Sequence, residues 1–455
     1  MDPSLQERAL NNSFFCEYAW LGGDDVTANV LITVENDRIT AVTPDAQCPP
    51  AARRLTGLTM PGFANAHSHV FHRAIRGRGQ QGVDSFWAWR NLMYSVAGTL
   101  TPDSLYELAL ATYAEMSLAG VTSVGEFFYV HHDPAGRRYS NPNIMGETVI
   151  QAAEDAGLRI TLLDTCYLQG GVDGRQLTGV QQRFTDGSWE NWAKRVGELK
   201  ETATARAGAA IHSVRAVPRH ALGPVAAFAR AHNMPVHAHV SEQPAENQDC
   251  LDVYGLTPTQ LLAEAGVLGA DMTSVHATHL TEKDVASYGA TGTSICMCAT
   301  TERDLADGVG PAGQLLEAGA RLCVGSDAHM MIDLLEEGRA IELDLRLTSG
   351  SRGHVNAAQI ADAITAGGAH SLGWDAGSIA AGKLADFTVI DLLSPRTAGA
   401  ASGEMLPHII FAAAAADVRT VIRGGKIVVD QGTNIRVPDT GAELNKAISK
   451  VIGAL

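Results

Sequence analysis

The segment PGFANAHSHVFHRA at residues 61–74 decides the fold. In it an apolar run leads directly into a His-Ser-His triplet. Three later apolar runs also end in polar residues, namely HAHVSEQ at 237–243, SVHATHL at 274–280 and VGSDAH at 324–329. Amphipathic stretches of helical period separate these runs. Strands that alternate with helices in this way indicate a parallel sheet.

Eight apolar runs qualify as strands of that sheet. They are LTMPGFAN, VTSVGEFF, RITLLDTCY, AAIHSVRAV, PVHAHVSE, TSVHATHL, GTSICMCATT and RLCVGSDA. Eight is the number of strands in a closed (β/α)8 barrel. The two chain ends contain short strand-like runs without helical period, one pair of them joined by a Gly-Gly hairpin signal. We therefore predict an α/β fold in which a (β/α)8 TIM-type barrel spans residues 61–375, and a small β-sandwich domain is formed by residues 1–60 and 376–455.

The charge balance restricts the partners. The 455 residues include 34 Lys and Arg against 50 Asp and Glu, which gives a formal net charge of −16. Such a field repels nucleic acids and anionic membranes, so we expect neither as a partner, and an anionic substrate would need local cations. No apolar run reaches the roughly 18 residues of a membrane span. The opening residues MDPSLQERALNNSFF lack the pattern of a secretory signal. We expect a cytoplasmic protein.

The cysteines do not indicate a disulfide framework. There are seven of them, an odd number, spread thinly and without a CxxC pair. The close pair Cys296 and Cys298 lies in the alternating run GTSICMCATT. We interpret these two thiols as small apolar side chains of a strand.

The polar residues at the strand ends form a candidate metal site. His67 and His69 are two residues apart on an extended segment, so both side chains point to the same side. With His239 and Asp327 they offer three imidazoles and one carboxylate, a set that holds a zinc-like ion and leaves a position for water. Each piece has an ordinary alternative: two histidines can pair by chance, Asp327 can cap a turn, and only one of His237 and His239 need be a ligand.

Together these motifs resemble the metal-dependent amidohydrolase superfamily and, within it, the deaminases. The resemblance implies a hydrolytic deamination in which Asp327 accepts a proton from the attacking water. Glu242 would protonate the imine nitrogen and then the departing ammonia, and His276 would steady the water. The ordinary alternative for Glu242 is a surface carboxylate. The fourth strand has no lysine to bridge two metals, so we expect one divalent ion per chain, Zn²⁺ first, with Fe²⁺ or Mn²⁺ as alternatives.

Further segments resemble the N-formimino-L-glutamate iminohydrolases of histidine degradation. They are SFWAWRNLMY, FFYVHHD, IHSVRAVP, CATTERDLADG and SDAHMMIDLLEEGR. The resemblance implies that Arg90, Tyr129, His212 and Arg215 hold the glutamate part of the substrate, that N-formyl-L-glutamate and ammonia are the products, and that the protein is a homodimer. Arginine pairs with carboxylates through two hydrogen bonds, so two arginines suit a small dianionic substrate. His72 stands where the family more often has glutamine, which leaves its role open.

Three other interpretations remain. Arg90 and Arg215 can be ordinary ion-pair residues. A deaminase or dechlorinase of an N-heterocycle, of guanine or triazine type, would share every metal ligand and would use stacking rings, for which the aromatic cluster within residues 86–94 is a candidate. A non-catalytic barrel used for binding would be expected to lose a ligand or Glu242, and the sequence retains them all.

Overall fold

The computed structural model describes residues 13–78 and 86–455, without the side chains of residues 86–88 and 402. The opening residues used in the signal prediction therefore lie largely outside it. A barrel sheet of eight parallel strands occupies the middle of the chain. Its strands, in chain order, are β5 (Phe63–Ser68), β6 (Val121–Phe128), β7 (Arg159–Cys166), β8 (Ala205–Ile211), β9 (Val236–Val240), β10 (Met272–His276), β11 (Ser294–Met297) and β12 (Arg321–Val324).

The two edge strands of this sheet close onto each other. The backbone N–H of Asp327 donates to the carbonyl of His67 at 3.0 Å, and the N–H of His69 donates to the carbonyl of Asp327 at 3.2 Å. These bonds join the segment after β12 to the end of β5. The predicted (β/α)8 barrel is confirmed, and its closure brings the first and last predicted metal ligands together.

Helices cover the barrel. They are α1 (Phe86–Thr99), α2 (Pro102–Leu118), α3 (Ile144–Ala156), α4 (Trp189–Val196), α5 (Arg219–Ala231), α6 (Pro244–Tyr254), α7 (Pro258–Glu264), α8 (Glu282–Thr291), α9 (Ala299–Asp304), α10 (Ala312–Glu317), α11 (Leu334–Ser349), α12 (Ala357–Asp362), α13 (Gly368–Ser371), α14 (Met405–Ala412) and α15 (Thr440–Ile452). Local sequence explains α2: the Thr101 hydroxyl accepts from the N–H of Ser104 at 3.3 Å, and Pro102 occupies the first turn. Among the described residues, no helix is long and apolar enough to cross a membrane.

The chain ends form the second sheet. Its strands are β1 (Ser13–Ala19), β2 (Thr27–Glu35), β3 (Arg38–Thr43), β4 (Arg53–Pro61), β13 (Phe387–Ile390), β14 (Val418–Arg423), β15 (Lys426–Asp430) and β16 (Thr433–Asn434). The order β16-β15-β14-β13-β4-β1-β2-β3 places the C-terminal strands beside the N-terminal ones. The hairpin expected at the Gly-Gly pair joins β14 to β15. A β unit built from both ends is therefore confirmed, while the proposed domain limits stay a prediction.

The first predicted strand, LTMPGFAN, was wrong as a single element. It is divided between β4 in the terminal sheet and β5 in the barrel, and the change occurs at Gly62. A Cβ at Gly62 would lie 2.2 Å from the Thr122 hydroxyl oxygen, so only glycine fits there. Its N–H donates to the carbonyl of Asp386 at 2.8 Å. Glycine thus permits the close approach at which the chain passes between sheets.

The predicted fourth barrel strand, AAIHSVRAV, is also placed too late. β8 ends at Ile211, and residues 212–217 form the loop at the carboxyl end of the strand. His212 and Arg215 therefore belong to a loop over the barrel mouth. In barrels of this kind, binding residues come from these loops.

Candidate metal centre and active site

A buried carboxyl group fixes the His-Ser-His triplet. Glu126 of β6 accepts the backbone N–H of Val70 at 2.7 Å and the hydroxyl of Ser68 at 2.7 Å. The Tyr113 hydroxyl donates to the same carboxyl at 3.0 Å. Burial raises the pKa of Glu126 to about 8. Glu126 therefore holds Ser68 and Val70, the two neighbours of His69, in position.

The four predicted metal ligands lie together at the barrel mouth. Nε2 of His239 is 3.1 Å from Nε2 of His67 and 3.4 Å from Nε2 of His69. Oδ1 of Asp327 is 3.4 Å from Nε2 of both His67 and His69. All four side chains are buried. Three imidazole nitrogens and a carboxylate oxygen around one point fit a divalent transition-metal ion.

Hydrogen bonds orient two of the imidazoles for metal binding. Nδ1–H of His69 donates to the carbonyl of Phe127 at 2.8 Å, and Nδ1–H of His239 donates to the carbonyl of His212 at 3.0 Å. Each bond leaves the Nε2 lone pair directed at the cluster. Burial lowers the pKa of His69 to about 3, and burial together with neighbouring imidazoles lowers the pKa of His67 and His239. Neutral imidazoles are the form that binds a metal.

The structure separates the two histidines of HAH. Nε2–H of His237 donates to the carbonyl of Ser371 at 2.9 Å, so this nitrogen faces Ser371 and not the ligand cluster. His239, two residues later, is the one in the ligand cluster. Of the two histidines, only His239 has a ring nitrogen in this cluster, and its role as a metal ligand stays a prediction.

A second group of titratable residues adjoins the ligands. Nε2 of His276 lies 3.8 Å from Oε1 of Glu242 and 3.8 Å from Oδ2 of Asp327. On the other side of the ring, Nδ1 lies 3.4 Å from Oε1 of Glu302. Burial opposes protonation of this ring, but the three carboxylates outweigh it and raise the pKa of His276 to about 10. The ring is therefore positively charged near neutral pH and lies beside two carboxylates that face the metal position.

The backbone at these strand ends is left-handed. The φ angles are 69° at His276, 41° at Asp327 and 51° at Ser241, the residue before Glu242. Such conformations cost non-glycine residues of order 1–3 kcal/mol each and persist where surrounding contacts enforce them. They turn the side chains of the strand-end residues toward one point.

Arg215 is both an ion-pair residue and part of the cavity wall. Its Nη2 donates to Oε2 of Glu242 at 3.1 Å, and its Nε lies 3.7 Å from Oε1 of Glu246. The other oxygen of Glu246 accepts the backbone N–H of Glu242 at 3.2 Å. The predicted substrate residue therefore also holds the predicted proton carrier in position.

One cavity joins the ligand cluster to the predicted substrate residues, and its wall includes Arg90, Tyr129, His212 and Arg215. Nη2 and Nε of Arg90 donate to the Tyr94 hydroxyl at 2.6 and 2.9 Å. Among the predicted aromatic cluster, Trp89 and Tyr94 line this cavity. The side chains of the other two aromatic residues of the cluster, Phe86 and Trp87, lie outside the described part of the structure.

His72, whose role the sequence left open, also belongs to the cavity wall. Its Nε2 lies 3.3 Å from the Tyr129 hydroxyl, and its ring centroid lies 4.7 Å from that of His69. Burial holds the pKa of His72 well below its usual value. It therefore contacts a predicted ligand and a predicted substrate residue in its neutral form.

Sequence reasoning missed three contributors to the site. Glu302 contacts His276, Glu246 supports Glu242, and Arg175 lines the cavity. Glu302 lies in the CATTERDLADG run already noted, and Glu246 lies one helical turn after Glu242, so both had a detectable signal. Arg175 had none, because it belongs to a loop without a recognisable motif.

Three thiols in β11, in β12 and directly after β11 lie inside the barrel. Cys296, Cys298 and Cys323 pack with Ala66 and Val275. Burial raises the pKa of the Cys298 thiol, so it stays protonated and behaves as an apolar side chain. Its sulfur nevertheless lies within 4.8 Å of donor atoms of the neighbouring His and Asp residues of the site.

A barrel with clustered His and Asp side chains at its mouth is the arrangement that metal-dependent hydrolases use. The chain belongs to the amidohydrolase family, whose model matches residues 58–428, and it is therefore a hydrolase that acts on C–N bonds. It is 36% identical over 442 residues to formimidoylglutamate deiminase of Pseudomonas aeruginosa, covering 94% of this chain and 96% of that protein.

The chain is also similar to a second deaminase and to a solved amidohydrolase structure. The chain is 26% identical over 426 residues to a 5-methylthioadenosine/S-adenosylhomocysteine deaminase of Natronomonas pharaonis, covering 92% of each. A crystal structure of an amidohydrolase from Brucella melitensis superposes with a TM-score of 0.90 at 30% identity, covering 97% of this chain and 99% of that one. This chain is thus similar, over more than nine-tenths of their length, to two proteins that are named as deaminases of different substrates.

Proposed function

We propose that this protein hydrolyses N-formimino-L-glutamate to N-formyl-L-glutamate and ammonia, as in histidine degradation. One observation carries the proposal: a single cavity joins the metal-ligand cluster and Glu242 to the guanidinium groups of Arg90 and Arg215. A linear amidine with two carboxylates needs the metal cluster and Glu242 for hydrolysis, and it needs the two guanidinium groups for binding. The identity to formimidoylglutamate deiminase supports the same substrate.

In this proposal His67, His69, His239 and Asp327 hold one divalent ion, Zn²⁺ in the first place. Such an ion supplies Lewis acidity and makes water acidic enough to react near neutral pH. Among the described residues, the cavity wall contains no lysine that could bridge a second ion. One ion per chain is therefore part of the proposal.

The chain's own residues move the protons. Asp327 accepts a proton from the water that attacks the formimino carbon, and His276 hydrogen-bonds that water from the other side. Glu242 passes two protons to the substrate nitrogen, one to the imine and one to the nitrogen that leaves as ammonia. Both come from the attacking water: the first is released as the water attacks, and the second when the hydroxyl of the tetrahedral adduct becomes the formyl oxygen. His276 lies 3.8 Å from Glu242 and from Asp327, so a relay between these groups would run through an intervening water. The balance is one water consumed and one ammonia released per substrate.

The glutamate part of the substrate would be bound by Arg90, Tyr129, His212 and Arg215. A buried carboxylate without a partner is costly, so a guanidinium group must meet it. The net charge of −16 makes these local cations necessary. We also keep as predictions a homodimer and a cytoplasmic location.

The second candidate is an N-heterocycle deaminase or dechlorinase. Aromatic rings of Trp89, Tyr94, Tyr129, Tyr167 and Phe184 line the cavity and offer surfaces on which a flat ring could stack. A neutral ring leaves the arginines without a carboxylate partner, which is why we rank this candidate second.

Ammonia release tests the proposal. The zinc-loaded protein is incubated in parallel with N-formimino-L-glutamate, guanine, 5-methylthioadenosine and an amino-triazine. We expect kcat/KM for formiminoglutamate to exceed the others by at least about 100-fold, because a buried charged contact contributes several kcal/mol to discrimination. Release from a purine or triazine alone would reject the proposed substrate and leave the metal site intact.

A further inference from the structure

A tight turn carries a third arginine to the cavity. After β7, the N–H of Gly170 donates to the carbonyl of Arg175 at 2.7 Å, and the N–H of Gly174 donates to the carbonyl of Gly171 at 2.9 Å. These bonds close the segment into a loop and return Arg175 to its beginning. Its side chain is largely exposed, yet it lines the same cavity as His69 and Asp327. Arg175 therefore lies at the cavity mouth.

Gly171 provides the space for this guanidinium group. A Cβ at Gly171 would lie 2.5 Å from Nε and 2.8 Å from Nη2 of Arg175. Nε donates to Oδ1 of Asp173 at 2.9 Å, which holds the group from one side. Within the described part of the chain, its Nη groups have no hydrogen-bond partner. Carboxylates are bound through that edge of arginine.

Two carboxylates lie beside Arg215, the arginine nearest to Glu242 in the cavity. Arg215 is contacted by two carboxylates, Glu242 at 3.1 Å and Glu246 at 3.7 Å. A substrate carboxylate that approaches Arg215 therefore meets two negative charges beside one positive charge. Arg90 and Arg175 are the other two arginines of the cavity wall, and both lie outside this carboxylate cluster, so either is better placed than Arg215 to meet a substrate carboxylate.

We propose that Arg175 binds one of the two carboxylates of the substrate at the cavity mouth and selects dianionic over monoanionic substrates. This inference rests on the proposed function, since it takes N-formimino-L-glutamate as the substrate. It assigns Arg175 to binding and leaves the proton transfers to Glu242, His276 and Asp327. The effect of losing it should therefore appear in KM.

The test compares Arg175→Met with Arg137→Met. Arg137 is a matched control because its Nε also donates to a nearby Asp, Asp133 at 2.9 Å, on a turn outside the cavity wall. With N-formimino-L-glutamate, Arg175→Met should lose about 10-fold in kcat/KM through KM, with kcat and metal content unchanged. Arg137→Met should match the parent.

Two monoanionic analogues identify the contact. N-formimino-L-glutamine lacks the side-chain carboxylate, and N-formimino-γ-aminobutyrate lacks the α-carboxylate. The analogue without the group that Arg175 binds should show less than about a twofold difference between parent and Arg175→Met, because no charge-assisted bond is left to lose. Equal losses with both analogues and the dianion would overturn the proposal, since the effect would then be structural.

A second variant tests position instead of charge. Gly171→Ala keeps Arg175 but places a methyl group where the guanidinium lies, and the backbone φ of Gly171 is one that alanine accepts. It should reproduce part of the KM increase. Arg175→Lys should restore part of the affinity, because an ammonium supplies charge without the planar fork. If Arg175→Met and Gly171→Ala both behave as the parent does, Arg175 has no role in binding.

Binding of glutarate distinguishes failure of the proposed function from failure of the role inferred for Arg175. If the parent releases no ammonia from formiminoglutamate, the proposed function fails, and calorimetry with the zinc-loaded protein still tests Arg175. The inference then requires glutarate to bind about 10-fold more weakly to Arg175→Met than to the parent. Equal binding, or no binding to the parent, would reject it.

Discussion

Replacing Glu242 by glutamine tests the proposed proton transfers while the metal ligands stay unchanged. The side chain lies 3.8 Å from Nε2 of His276 and accepts from Nη2 of Arg215 at 3.1 Å. An amide has nearly the same volume, and its oxygen can accept the same bond from Arg215. His239 is oriented by the carbonyl of His212 and not by Glu242. The substitution therefore removes the transferable proton while the metal ligands keep their positions.

The size of the effect follows from that role. A positioned general acid–base group contributes about 10² to 10⁴ in rate, which corresponds to roughly 3–5 kcal/mol of activation free energy. We expect Glu242→Gln to lose kcat by this factor, with KM changed less than about threefold because the arginines that bind substrate remain. Ammonia release measures both constants, and elemental analysis measures the metal.

A matched control is Glu264→Gln. Glu264 also pairs with an arginine, Arg219 at 2.7 Å, but both are exposed and outside the wall of the catalytic cavity. This variant should keep the parental kcat and metal content. If Glu242→Gln retains its metal together with more than about a tenth of the parental kcat, Glu242 does not carry the protons.

Three other predictions concern the metal and the buried charges. Chelation should abolish activity, readdition of Zn²⁺ should restore it, and the bound ion should raise the free energy of unfolding by about 4 kcal/mol at 1,000 times its Kd. Arg159→Met should cost about 3–5 kcal/mol in urea unfolding, because the buried Asp386, now 2.9 Å from Nε of Arg159, loses its ion-pair partner. Arg159→Met with Asp386→Leu should recover part of the loss. Glu126→Gln removes a carboxyl that keeps its proton in the native state to about pH 8, whereas the unfolded chain loses it near 4.5. The parent should therefore lose stability relative to this variant as the pH rises from about 5 to 8, by up to about 1.4 kcal/mol per unit, and unchanged differences across that range would contradict the assignment.

The sequence identified the barrel and the residues that meet at its mouth because both depend on short-range patterns. Apolar runs mark strands, and parallel strands bring their carboxyl ends to one edge. That rule alone predicted that His67, His239 and Asp327 would lie together, although they are far apart in the chain. The same rule could not decide between His237 and His239, since two residues that are two apart on a strand point to the same side and differ only in how far along the strand they lie.

Features that depend on contacts between distant segments were not predictable. The division of LTMPGFAN between two sheets depends on Gly62 meeting Thr122. The pairing of Arg215 with Glu242 depends on the shapes of two loops, so the sequence left ion-pair and substrate roles as alternatives. The structure shows the ion pair and places Arg215 in the cavity wall, while its substrate role stays a prediction. The position of Arg175 could not be predicted either, because it depends on the loop that brings its guanidinium group against Gly171.

The most direct test of the account is the identity of the products in H₂¹⁸O. The zinc-loaded protein is mixed with N-formimino-L-glutamate, and the products are analysed by mass spectrometry together with an ammonia assay. Attack of water on the formimino carbon with loss of the terminal nitrogen predicts N-formyl-L-glutamate with one ¹⁸O in its formyl group and one ammonia per turnover. Unlabelled product, glutamate with formamide, or no product in the presence of the metal would contradict the account.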